Sequence, residues 1–65
     1  MTEIVIRTVS DPSWYVLEIH GAVFISWVSE QDRMRALKFQ PETATQWREL
    51  LEKMCGFTLA MEFAL

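Results

Sequence analysis

The stretch WYVLEIHGAVFISWV, residues 14–28, constrains the fold more than any other part of the chain. β-branched and aromatic residues dominate it, which suits a pleated, packed surface. His20-Gly21 interrupts it, and glycine tolerates the positive φ that a two-residue hairpin connection demands. The segment reads as strand two over residues 14–19 and strand three over residues 22–28. Side chains alternate between faces along a strand, and large apolar groups occur at both odd and even positions here. Both faces of the sheet are therefore apolar.

Neighbouring segments extend this pattern. Residues 3–9, EIVIRTV, read as strand one, and SDPS at 10–13 supplies turn chemistry through Pro12 and Asp11. Residues 33–39, RMRALKF, contain good helix formers but also alternate, with Pro41 close behind; we read them as a fourth strand in preference to a helix. Pro41 suits a first helical position and Glu42 a first turn. Ala44, Trp47, Leu51 and Met54, with Leu50 beside them, recur at helical spacing, and Gly56 is a stop. Arg48 with Glu52 and Glu49 with Lys53 are pairs four apart. The tail FTLAMEFAL alternates again, with Phe57, Leu59, Met61, Phe63 and Leu65 on one side, and forms a fifth strand.

The expected fold is α+β: a small antiparallel sheet, β-β-β-β-α-β, in the order 5-1-2-3-4, with one helix packed on one face. A right-handed crossover through the helix sets that order. Residues 1–65 form a single domain.

The turns assign residues to faces. With His20-Gly21 as the loop, Ile19 opposes Ala22, Leu17 opposes Phe24 and Tyr15 opposes Ser26. On the other face Glu18 opposes Val23, Val16 opposes Ile25 and Trp14 opposes Trp27. A four-residue turn at 10–13 adds Ile4, Ile6 and Thr8 to the first set, which becomes the core under the helix. The second set is Val5, Val9, Trp14, Val16, Val23, Ile25 and Trp27, edged by Glu3, Arg7 and Glu18. A three-residue loop would break the assignment, because a one-residue slip exchanges the faces. One helix covers one face, so the Trp14/Trp27 face must be covered by another chain or stay solvated, unless a loop or the tail folds over part of it. Cross-strand tryptophans stabilising a wet face are the competing explanation.

A chain of 65 residues buries only about 60% of its unfolded surface and is not expected to exceed about 3–5 kcal/mol of stability without a staple. One cysteine and one histidine exclude an internal disulfide and a single-chain structural zinc site. A net charge of −3 disfavours direct nucleic-acid binding. No targeting signal or membrane-length apolar run is visible; a cytoplasmic location is expected.

No motif carries catalytic chemistry. His20 sits at a turn, where histidines are usually solvated, and Cys55 closes the helix as a small packing residue. Two glycines allow no phosphate-cradling loop. Arg33, Arg35 and Lys38 guard an edge strand. We expect no enzyme activity, cofactor or metal. The expected role is a non-catalytic protein-binding module acting by occupying a partner's surface. Trp14 and Trp27 would be its anchors, with Val16, Ile25, Arg7 and Glu18 around them. In size, acidity and lack of motif, and in nothing more specific, the chain resembles the inhibitors that phages and mobile elements encode against host defence, such as anti-CRISPR proteins. Two alternatives stand: a homodimer burying the Trp14/Trp27 face, and an acidic mimic of nucleic acid that binds a basic groove through Glu42, Glu49 and Glu52.

Overall fold

A computed structural model describes residues 2–21 and 24–64. The β-branched run at the start forms β1 (Ile4–Thr8), and the central stretch forms β2 (Trp14–His20) and β3 (Phe24–Ser29). A kinked 3-10 turn spans Glu30–Arg35. Helix α1 (Pro41–Cys55) leads to β4 (Leu59–Phe63). The sheet is antiparallel in the order β3-β2-β1-β4. The α+β class and the neighbours of β1 are as the sequence implies, with four strands in place of five.

The registers differ from expectation, and each difference has a local cause. Arg7 stands opposite Tyr15, so the turn between β1 and β2 holds five residues. Thr8 sets that length: its Oγ1 accepts the Trp14 N–H at 2.9 Å and lies 2.8 Å from Ser10 Oγ. Ser13 Oγ donates to the Ser10 carbonyl at 3.0 Å, closing the turn from within. At the next turn the last pair is His20 with Phe24, so three residues separate the strands. Gly21 has φ 60; the expected partners Ala22 and Val23 lie outside the described residues, as does Leu65. A bulge at Leu17 follows: Ile19 pairs with Ile25, but Val16 pairs with Trp27 and Trp14 with Ser29.

Each slip exchanges the faces. Trp14, Val16, Ile25 and Trp27 therefore lie on the same face as Ile4 and Ile6, beneath α1. Tyr15 and Leu17 move to the other face. On β2 only Glu18 and Ile19, beyond the bulge, keep their expected sides. The helix-side core joins Ile6, Val16, Phe39, Ala44, Leu51 and Leu59, with Ile25 and Trp27 packed against it. Pro41 opens α1 as its spacing implies, and Gly56 ends it at φ 83, its N–H donating to the Glu52 carbonyl.

Residues 33–39 are neither strand nor α-helix. The 3-10 turn lies under the second face, where Ala36 is buried to 3% exposure with Val5, Tyr15 and Val28. The chain then threads between β1 and β2. The Leu37 N–H donates to the Val16 carbonyl of β2 at 2.9 Å, and Phe39 exchanges both backbone bonds with Ile4 of β1. Beyond that slot Phe39 belongs to the helix-side core. Thus the chain packs against both faces of its own sheet, burying Val5, Tyr15 and Val28 on the second while leaving Phe24 exposed, and the expectation that only one face is covered from within the chain is overturned.

Candidate functional site

Exposed apolar side chains occur at several places, among them Phe24, Met34, Leu50 and Phe63, and three of them, Val9, Trp14 and Phe57, meet where α1 runs out. Trp14 begins β2 and Trp27 lies on β3, diagonal to it on the helix side. The left-handed turn at Gly56 swings Phe57 back over this corner, and its ring stacks on Trp27 at 6.0 Å between centroids. Trp14 and Phe57 remain 46% and 49% exposed. Together with Thr8, Ile25 and Ser26 these aromatics line a depression of about 480 Å³. A second, of about 520 Å³, shares Thr8, Trp14 and Phe57 and continues over Val9, Ser10 and Thr58. No charged residue lines either depression. The surface offers stacking faces, a few hydroxyls and indole N–H groups, which suits recognition more than proton transfer.

The expected contact residues divide. Trp14, Trp27 and Ile25 meet at this groove. Val16 lies below it at 0% exposure, closed to any partner. Arg7 and Glu18 are on the opposite face. Phe57 was not expected here: it reads as the first residue of the last strand, and only the turn after Gly56 detaches it. The sequence signal was that αL stop itself.

Arg7 belongs to a cluster under the second face. Its Nε and Arg33 Nη2 each donate to the Glu62 carboxylate at 2.5 Å, and the Arg33 guanidinium lies 5.4 Å from the Tyr15 ring centre. Burial pushes the Glu62 carboxyl up, but the hydrogen bonds from Arg33 and Arg7 outweigh it and hold the group below its usual 4.5. Arg33 also donates to the carbonyls of Phe63 and Ala64, clamping the C-terminal strand.

The helix carboxylates also divide. Glu42 and Glu49 are exposed. Glu52 is built into the fold, accepting the Leu59 N–H at 2.8 Å and a bond from Arg48 at 3.1 Å. The Glu62 and Glu52 clusters absorb Arg7, Arg33 and Arg48, which leaves seven of nine acids and three of six bases outside Arg–carboxylate pairs among the described residues. The presented surface is acidic.

His20 Nε2 lies 2.8 Å from Ser26 Oγ and 3.6 Å from Glu18 Oε1, with its ring stacked on Phe24 at 4.4 Å. A serine–histidine–carboxylate relay needs its partners on opposite ring nitrogens. Here both converge on Nε2, at an exposed strand end. Among the described residues no three His, Cys, Asp or Glu side chains are placed to hold a metal ion, and no helix is long and apolar enough to cross a membrane.

The class these features define is a small α+β domain with an aromatic groove at one corner. No protein-family model, curated protein or solved structure matches the chain.

Proposed function

We propose that this protein is a non-catalytic binding module that occupies the surface of another protein through the Trp14–Trp27–Phe57 groove. One observation carries the reading: two of three large aromatics at one corner stay about half exposed while lining one shared apolar groove. Isolated exposed apolar residues need no explanation, but a contiguous cluster of this kind ordinarily marks an interaction site. Tryptophan is also the residue most enriched among interface hot spots.

Charge supports the same reading and narrows the partner. Asp11, in the turn beside Ser10, and Glu30, which accepts the Ser13 N–H at 2.7 Å, sit at the Trp14 end of the groove. Acidic groups at one end of an apolar groove fit a partner that carries Lys or Arg at the matching edge. Action by occupancy, as in inhibitors of host defence, is the biological form this chemistry best suits, in the cytoplasm where such partners work.

The acidic-mimic alternative is weaker, because Glu52 is spent inside the fold and Glu42 and Glu49 alone do not make a stripe. Co-purification from the native cell, repeated with Trp14→Ala and Phe57→Ala proteins of native circular dichroism, tests the proposal. Both variants should lose the captured partner. Full retention by both would rule this groove out.

A further inference from the structure

Strand β3 is an edge: β2 lies on one side and, among the described residues, no strand lies on the other. An edge strand presents unpaired backbone donors and acceptors, and soluble proteins ordinarily guard it with charge, proline or a bulge. The β3 sequence FISWVS has no charge and no proline, and the irregularity of its hairpin lies on β2, between Val16 and Glu18. The opposite edge, β4, contains Glu62, which Arg7 and Arg33 hold in place.

The β3 sequence is also self-complementary. About Ser26, Ile25 mirrors Trp27 and Phe24 mirrors Val28. An antiparallel copy related by a two-fold axis at Ser26 sets Ile25 against Trp27 of the second copy on the helix side. On the other side it sets Phe24 against Val28 and Ser26 against itself. Aromatic–β-branched cross-strand pairs are among the favourable ones. Charge singles out this edge: with seven acids and three bases outside Arg–carboxylate pairs, two copies repel over most approaches, whereas β3 brings no charge to the contact.

We propose that β3 pairs antiparallel with β3 of a second copy about an axis through Ser26, forming a homodimer with a continuous sheet, four strands from each chain. Antiparallel pairing sets like face beside like face, so both grooves stay on the helix side. The dimer contact shares Ile25, Ser26 and Trp27 with the wall of the groove, so capture is scored with Trp14→Ala and Phe57→Ala, which leave β3 unaltered, and solution mass with the Ser26 variants.

Sedimentation equilibrium from micromolar to millimolar protein tests it. The 7.6 kDa chain should approach twice that mass, and the β3 amides should gain hydrogen-exchange protection as concentration rises. Ser26→Lys and Ser26→Glu should each remain monomeric, because like charges meet at the axis; mixed in equal amounts they should form a heterodimer. Ser26→Ala, which loses only the His20 contact, should dimerise as the parent does. A parent protein that stays at 7.6 kDa throughout overturns the proposal, and so does dimerisation of Ser26→Lys alone at the parent's affinity. If the charged variants do not fold, concentration-independent exchange of the parent's β3 amides is the overturning result.

Discussion

Three residues show how placement decides role. Val16 and Trp14 belong to one strand face, two positions apart, yet Val16 is sealed in the core and Trp14 stands at its mouth. Val16→Ala removes two methyl groups from a closed site and should cost about 2 kcal/mol, read as a lower urea midpoint at unchanged m-value. Trp14→Ala should also cost about 2 kcal/mol in the same measurement, because the half of this large side chain that is buried hides as much apolar surface as all of Val16. Glu62 gives a pH signature. Its folded-state pKa is lowered, so its contribution to stability is present above the ordinary carboxyl value of 4.5 and is lost as pH falls below it. Glu62→Gln should lower stability by about 2 kcal/mol at neutral pH and flatten this acid-side decline; a variant whose urea midpoint falls with acid as steeply as the parent's would contradict the assignment.

Elements were legible where local chemistry fixes them. Pro41, the three- and four-residue spacing of Ala44, Trp47, Leu51 and Met54, and the Gly56 stop specify α1 with no help from the rest of the chain. The strand content of residues 4–8 and 59–63 is equally local. Turn lengths were not legible, because they depend on which side chain reaches back to the backbone: Thr8 Oγ1 takes the Trp14 N–H and lengthens one turn, and the Leu17 bulge absorbs the difference later. Two unseen single-residue shifts then moved Trp14 and Trp27 to the helix side. Residues 33–39 defeated both periodicities because their backbone bonds go to two different strands, a long-range arrangement that no local pattern encodes. That segment carries a sharp prediction. Ala36→Glu places a carboxylate among Val5, Tyr15 and Val28 and should cost more than about 3 kcal/mol. In a domain of this size that leaves mostly unfolded chain, visible as collapsed amide dispersion. A well-folded Ala36→Glu protein would show that the second face is open after all.

For the whole molecule, the lesson is how a short chain covers two apolar faces with one long helix. It sends residues 36–39 through the sheet between β1 and β2, so the 3-10 turn shields one side and α1 the other. What remains exposed includes the Trp14–Phe57 corner, with other apolar side chains such as Phe24, Met34 and Phe63 exposed elsewhere. The candidate site moved accordingly: Trp14, Trp27 and Ile25 stay together but on the helix side, Arg7 and Glu18 keep the second face and so part from them, and Phe57 was hidden in a strand pattern. Both proposals for this surface, a partner in the groove and a second copy on β3, rest on that arrangement.

Side-chain nuclear Overhauser contacts of the Trp27 indole test it most directly. The register described here predicts cross-peaks from Trp27 to Phe57, with Ala36 giving its own to Tyr15. Cross-peaks from Trp27 to Val5 or Ala36, with none to Phe57, would put the indole on the other side of the sheet and contradict the account.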